Sequence, residues 1–306
     1  MKTVCVTGAA GNLGSLTARH LLAHSDHALR LMVHRKPFPF DLPEDGRARV
    51  VSADLANPVT LDTVFEGVDE IIHYAGVLFK ARPEAFLPVT NLRFFANLLE
   101  AAKRQGVKRI VLVSFPHVEG PTTPEHPATD RLDGTPVSMH ATTRLEEEKL
   151  LLAQRPDSVV LRVGMVYGNG ILMPDAARWF ARHRLLSAWK KPAPIHLISK
   201  DDFLSAVAAT LANPSAKGIY NVGDEGIQTL QDYLSFACDT WGHPRPWRMP
   251  EGLIFAAAAL FELASALFGT KSPLTRDFIR IGMVPYYGDT DRFRREILRT
   301  QVPHHA

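Results

Sequence analysis

The run Thr7-Gly8-Ala9-Ala10-Gly11-Asn12-Leu13-Gly14 constrains this chain more than any other segment, because it joins a short apolar run, Val4-Cys5-Val6, to a stretch with apolar residues at helical spacing, Leu13, Leu16 and Leu21. A strand that turns through three glycines into a helix has the context of a pyrophosphate cradle. In that reading Gly8 permits the tight turn, Gly11 lets backbone approach the phosphates, and Gly14 allows the helix to pack closely on the strand. Asn12 and Leu13, at the helix start, complete the candidate loop. The plain alternative is a strand-to-helix turn, and the position between the first strand and the first helix favours the dinucleotide. At the end of the next apolar run the sequence reads Val33-His34-Arg35-Lys36-Pro37, with no acid to pair a free ribose 2′-hydroxyl. Guanidinium and ammonium groups suit a 2′-phosphate. Arg35 and Lys36 therefore point to NADP, unless they merely solvate a turn.

Short β-branched runs recur at Leu29–Val33, Arg49–Val51, Glu70–His73, Arg109–Val113 and Val159–Val163, with helical segments between most of them. Such alternation, with strands apolar throughout, predicts an α/β fold with a doubly wound parallel sheet covered by helices on both faces. From about Gly168 the alternation decays: Arg178 to Leu186 reads as a basic helix, Ala193 to Ile198 as extended, and Phe203 to Leu211 as a helix. We expect a nucleotide-binding domain over residues 1–167, rejoined by 196–222, and a smaller C-terminal substrate lobe over 168–306.

The 306 residues, 46% hydrophobic and 22% charged, suffice for a sizeable core. Net charge is only +3, which argues against a nucleic-acid partner. Two distant cysteines, Cys5 and Cys238, and an apolar start too short for a signal peptide predict a cytoplasmic protein. The apolar stretch Leu253 to Phe268 carries Glu262 and falls short of the roughly 20 residues of a membrane span. It reads first as a core helix and second as a helix that docks on a membrane surface. His117, His126 and His196 have no metal-ligand spacing, and no G-x-S-x-G elbow exists, so neither a metal nor a serine nucleophile is expected. His304-His305 reads as a solvated tail.

Beyond these local signals the chain resembles the extended short-chain dehydrogenase/reductases of the NAD-dependent epimerase/dehydratase type, which implies a Rossmann-type fold and a nicotinamide cofactor. The residues that carry the likeness are the Thr7 to Gly14 loop, Ser52-Ala53-Asp54-Leu55, Ile72-His73-Tyr74-Ala75-Gly76, Asn91 with Asn97–Ala102, Gly106–Ser114, Leu161–Gly168, Ser199–Asp202 and Gly218–Gly223. By that resemblance Asp54 and Leu55 meet the adenine, Tyr74, Ala75 and Gly76 line the cofactor, and Val163 with Gly164 backs the nicotinamide. Pro273-Leu274-Thr275-Arg276 and the closing segment from Tyr286 are most similar to the hydroxysteroid-dehydrogenase and dihydroflavonol-reductase branch. Members often dimerise through the helices near residues 95 and 145, so a homodimer is expected.

One part of the family pattern is broken. A Tyr-x-x-x-Lys pair on one helix face, with a nearby hydroxyl, normally handles the substrate proton. Here His140 stands at the tyrosine position and Arg144 at the lysine position, while Phe115 takes the hydroxyl's place and Ser114 lies one residue earlier. His140 could move a proton near neutral pH, with neighbouring Arg144 keeping the ring uncharged, and Arg144 could hold the nicotinamide ribose. Equally, the triad is lost and His140 is an ordinary pocket histidine. Glu146, Glu147, Glu148 and Lys149 read as a solvated helix face. An NADP(H)-dependent oxidoreductase acting on a small, largely apolar carbonyl or alcohol is the leading expectation, the apolar cleft resting on Phe79, Phe86, Phe94, Phe95, Phe115, Met139, Met165 and Trp179. A non-catalytic NADP-binding sensor or assembly protein, and a non-redox lyase or cyclase with His140 as base, stay open.

Overall fold

The computed structural model describes residues 1–76, 82–268, 270 and 275–298. Phe79, Pro273, Leu274 and the His304-His305 tail, all named above, lie outside the described residues.

The first half forms strands β1 (Thr3–Thr7), β2 (Ala28–Val33), β3 (Ala48–Ser52), β4 (Glu70–His73), β5 (Arg109–Ser114) and β6 (Val159–Val163). Helices α1 (Asn12–His24), α2 (Pro58–Phe65), α3 (Phe94–Arg104) and α4 (Met139–Gln154) alternate with them. Later come β7 (Met165–Tyr167), α5 (Leu172–Arg182), β8 (Ser187–Trp189), β9 (Pro194–Ile195), β10 (Leu197–Ser199), α6 (Lys200–Ala212) and β11 (Gly218–Val222). The chain continues through β12 (Gln228–Thr229), α7 (Leu230–Trp241), β13 (Trp247–Met249), α8 (Glu251–Phe268), α9 (Arg276–Met283) and α10 (Asp291–Glu296).

Seven strands form one sheet in the order β3-β2-β1-β4-β5-β6-β11. Every pairing in it is parallel, from Val4 beside Leu29 to Tyr220 beside Leu161. This is the doubly wound Rossmann-type sheet, whose order reverses between β1 and β4 and opens a crevice at the strands' carboxyl ends. Its central strands are apolar on both sides because each side carries a core. Val4, Val6, Leu31, Val111 and Leu161 pack toward α1 and α6, and Cys5, Ile71, Ile110, Leu112 and Val160 toward α2 and α3.

The chain after Gly168 leaves the sheet and returns to it twice. Strand β11 closes the edge, and α10 lays fully buried Phe293 into the α1-side core. Helix α5 begins at Leu172, six residues before the basic run, because Pro174 sits in its first turn, where a missing N–H costs nothing. It ends at Arg182, ahead of Arg184 in the left-handed region at φ 59°. A small core of Trp189, Ala193, Ile254, Ala258 and Ile279 holds β8, α8 and α9 together. Helix α8 is not the core helix the composition suggested. Only Ile254, Ala258 and Ser265 are buried along its 18 residues.

Candidate functional site

The glycine loop builds one wall of the crevice. Gly8 has φ +70°, and a Cβ there would stand 2.9 Å from the Ala75 nitrogen, so β4's end passes directly over the turn. A Cβ at Gly11 would stand 3.0 Å from the Gly8 carbonyl oxygen, itself bonded to the Gly11 N–H at 2.8 Å. Gly11 is the N-cap of α1 and no side chain caps that helix, so the N–H groups of its first turn are left to an anion. These features fit a pyrophosphate. The Asn12 side chain braces the loop. Its amide donates to the Gly170 carbonyl at 2.7 Å and accepts from the Leu172 N–H at 3.0 Å, tying the loop to the start of α5. Leu13 is half-buried against the core.

At the far end of the crevice Arg35 and Lys36 are exposed beyond β2. No ion pair engages either among the described residues. Asp54 accepts from the Ala56 N–H at 2.9 Å and lies 3.5 Å from His34 Nε2, while the Leu55 carbonyl accepts from the Asn97 amide at 2.8 Å. Tyr74 donates its side chain to packing rather than to a ligand. Its hydroxyl shares a 2.6 Å hydrogen bond with Thr17 on α1, so Tyr74 can offer a cofactor only its backbone, and burial pushes its phenol up. Val163 is buried at the end of β6, and Gly164 after it bonds the Val222 carbonyl at 2.9 Å.

The proton-handling region sits on the first two turns of α4, capped by the Ser138 hydroxyl, which accepts from the Ala141 N–H at 3.2 Å. Residues four apart share a helix face, so His140 and Arg144 stand one above the other. His140 Nδ1 lies 2.8 Å from the Asp277 carboxylate, with side-chain exposures of 11% and 18%. Arg144 reaches Glu147 at 2.6 Å and leans over the Ala75 carbonyl at 3.5 Å, so closely that a Cβ at Gly76 would stand 2.6 Å from its guanidinium. The guanidinium is answered by Glu147, and the charge nearest the imidazole is the Asp277 carboxylate.

Two more assignments change. Glu147 and Glu148 are fully buried, not part of a solvated face: Glu148 pairs with Arg162, itself 0% exposed on β6, and Arg162 also pairs with Glu119. Burial pushes both carboxyls up, and the arginines pull them back down. Ser114 donates its hydroxyl to Glu148 and so belongs to this buried network at the strand end. Phe115 takes the position beside the crevice, its ring 5.0 Å from that of His117. Trp179 stands 54% exposed on α5, its ring tilted against that of His183, and lines no crevice wall that its contacts define.

Asp277 was invisible to sequence reasoning. It sits in the first turn of α9 behind the Thr275 N-cap, where an acid is ordinary helix chemistry, and 137 residues separate it from His140. His73, quoted above only for its likeness, is fully buried behind the site. Thr7 holds its Nδ1 at 2.8 Å, and burial lowers it to about 3.

Sheet order, glycine cradle and paired α4 residues define a dinucleotide-binding Rossmann protein of the dehydrogenase/reductase class. The NAD dependent epimerase/dehydratase family matches residues 4–223, and the chain belongs to that family, whose members depend on a nicotinamide cofactor. It is 28% identical over 278 residues to a ceramide reductase of Caulobacter vibrioides, an alignment covering 88% of this chain and 80% of that one. A uronate dehydrogenase of Pseudomonas putida is 36% identical over 115 residues, covering 38% of this chain and 41% of that enzyme. Among solved structures, the dTDP-glucose 4,6-dehydratase DesIV of Streptomyces venezuelae, with NAD and TYD bound, superposes with a TM-score of 0.76 at 21% identity. That likeness covers 99% of this chain and 93% of the other.

Proposed function

We propose that this protein is an NADP(H)-dependent reductase or dehydrogenase of a bulky, largely apolar carbonyl or alcohol, with His140 moving the proton at the substrate oxygen. The observation that carries the reading is the 2.8 Å contact between His140 Nδ1 and Asp277. A carboxylate on Nδ1 fixes the ring's orientation, as in sites where an imidazole serves as general acid and base. His140 would be the catalytic residue and Asp277 its positioning residue. Arg144, held by Glu147 against the Ala75 carbonyl, is placed to bond the nicotinamide ribose, which the family's lysine does. When bound, the nicotinamide supplies or accepts the hydride.

The preference for NADP(H) rests on Arg35 and Lys36, two exposed cations with no acid paired to them among the described residues. The apolar substrate rests on Phe115 in place of a hydroxyl and on half-buried Phe94, Met139 and Met165. It is also supported by the relative named for ceramide, whose alignment runs through most of this chain. Both cysteines are buried free thiols, in keeping with a cytoplasmic home as part of this proposal. The test is NADPH oxidation followed by absorbance with a panel of long-chain aldehydes and ketones. Turnover of at least one, falling by about 10²-fold or more in Asp277→Asn with a shifted pH profile, is expected. Tight NADPH binding without turnover of any would favour the sensor.

A further inference from the structure

Helix α8 has two apolar sides and the protein covers one. Ile254, Ala258 and Ser265 face inward, and Ile254 and Ala258 pack on Trp189, Ala193 and Ile279. On the opposite side Leu253, Leu260, Leu263 and Leu267 are 54–73% exposed, and Phe268 at the helix end is 80% exposed. Leu253, Ala256, Leu260, Leu263 and Leu267 recur at alternating steps of three and four, one straight stripe along the helix. Just before the helix Trp247 is 65% exposed, and Leu185 on the neighbouring loop is 60% exposed. Scattered exposed leucines are unremarkable, but a continuous stripe of this length exceeds what a free surface usually carries.

The charges around the stripe decide what covers it. Arg184, Lys190 and Lys191 flank β8, Arg248 lies on β13, and Arg280 on α9 stands 6.0 Å over the Phe255 ring. No acid pairs with any of the five among the described residues, and Arg248 donates only to the Gln231 carbonyl and the Ser235 hydroxyl. Against them α8 offers Glu251 and Glu262, and Glu262 is already bound to Arg276 at 2.8 Å. An apolar stripe rimmed by unpaired cations is complementary to an anionic bilayer surface, where leucines enter the acyl boundary and the cations meet phosphate headgroups. A second copy of the chain would bring the same cations face to face across a two-fold axis.

By length and composition α8 could cross a membrane, with a mean hydropathy of 1.7, but its first half is held on the small core through Ile254, Phe255 and Ala258. We infer that α8 is a docking helix that lies flat on an anionic lipid surface. The inference rests on this surface alone and not on the proposed reaction. Its consequence for that reaction is placement, since α9, tied to α8 through Arg276 and Glu262, carries Asp277 into the site.

Flotation of the full chain with phosphatidylcholine vesicles, with or without roughly one-third phosphatidylglycerol, tests it without any turnover. The native protein should float with the anionic vesicles, less so as salt rises. Leu260→Ser with Leu267→Ser should cut partitioning at least tenfold at an unchanged melting temperature, and Lys190→Glu with Lys191→Glu should weaken it severalfold on anionic vesicles only. No flotation of the native protein would overturn the inference, as would a leucine variant that floats equally well. So would a native dimer that the leucine substitutions dissolve, because the stripe would then be covered by a second copy.

Discussion

His140 and Asp277 meet across 137 residues of chain, and their 2.8 Å contact gives a testable division of labour. The other histidine of the site is built for the opposite purpose. His73 is fully buried on the Thr7 hydroxyl and lowered to about 3, chiefly by burial and secondarily by Arg144. In the unfolded chain it takes up a proton near its ordinary value of about 6.5, so the unfolded state binds more protons between those limits. Its contribution to stability is complete above pH 6.5 and is lost as pH falls toward 3. Thermal melts at pH 7 and pH 5 should show a smaller acid-induced drop for His73→Gln than for the native protein. Equal drops would remove His73 from the acid response. Residue by residue, the sequence placed the glycines at the entry to α1 and put His140 and Arg144 on one helix face, because both follow from local spacing. It misjudged Glu147 and Glu148, because a charged triplet on a helix predicts solvent unless a buried cation such as Arg162 waits on the strand beneath.

Among the elements, α1 and its entry loop carry the clearest expectation. Gly11 is extended, not left-handed, so a side chain there meets no left-handed backbone strain. Its Cβ would stand 3.0 Å from the Gly8 carbonyl oxygen, a tight contact that a shift of a few tenths of an ångström relieves, while the side chain fills the approach to the uncapped helix end. Gly11→Val should therefore fold yet lose the thermal stabilisation that NADPH gives the native protein. Retained stabilisation would reduce the loop to a turn. The sheet strands and α1, α3 and α6 were legible because apolar runs and helical spacing are local signals. Helix α5 was read from its basic run, Arg178 to Leu186, whereas the helix begins six residues earlier, with Pro174 in its first turn. Helix α8 was read as core because composition reports apolarity without saying whether anything lies against it.

At the scale of the molecule, one chain brings three things to a single crevice: a phosphate cradle from α1, a cationic rim beyond β2, and a His–Asp pair shared between α4 and α9. In the proposed function the rim sets the cofactor preference. NADPH should bind more tightly than NADH, and Arg35→Asp should reverse the order by one to two powers of ten, the scale of about 1.5–3 kcal/mol for a charge-assisted hydrogen bond. Equal native affinities by calorimetry would contradict that assignment. In that proposal the shared pair sets the chemistry, and no sequence window contains it, since the lobe that supplies Asp277 folds back over α4 only after the sheet is complete. The most direct trial of the whole account is single-turnover reduction by His140→Phe at saturating NADPH. The account predicts a rate lowered by about 10²–10⁴-fold with cofactor affinity nearly intact; an unchanged rate would take His140 out of the mechanism and contradict it.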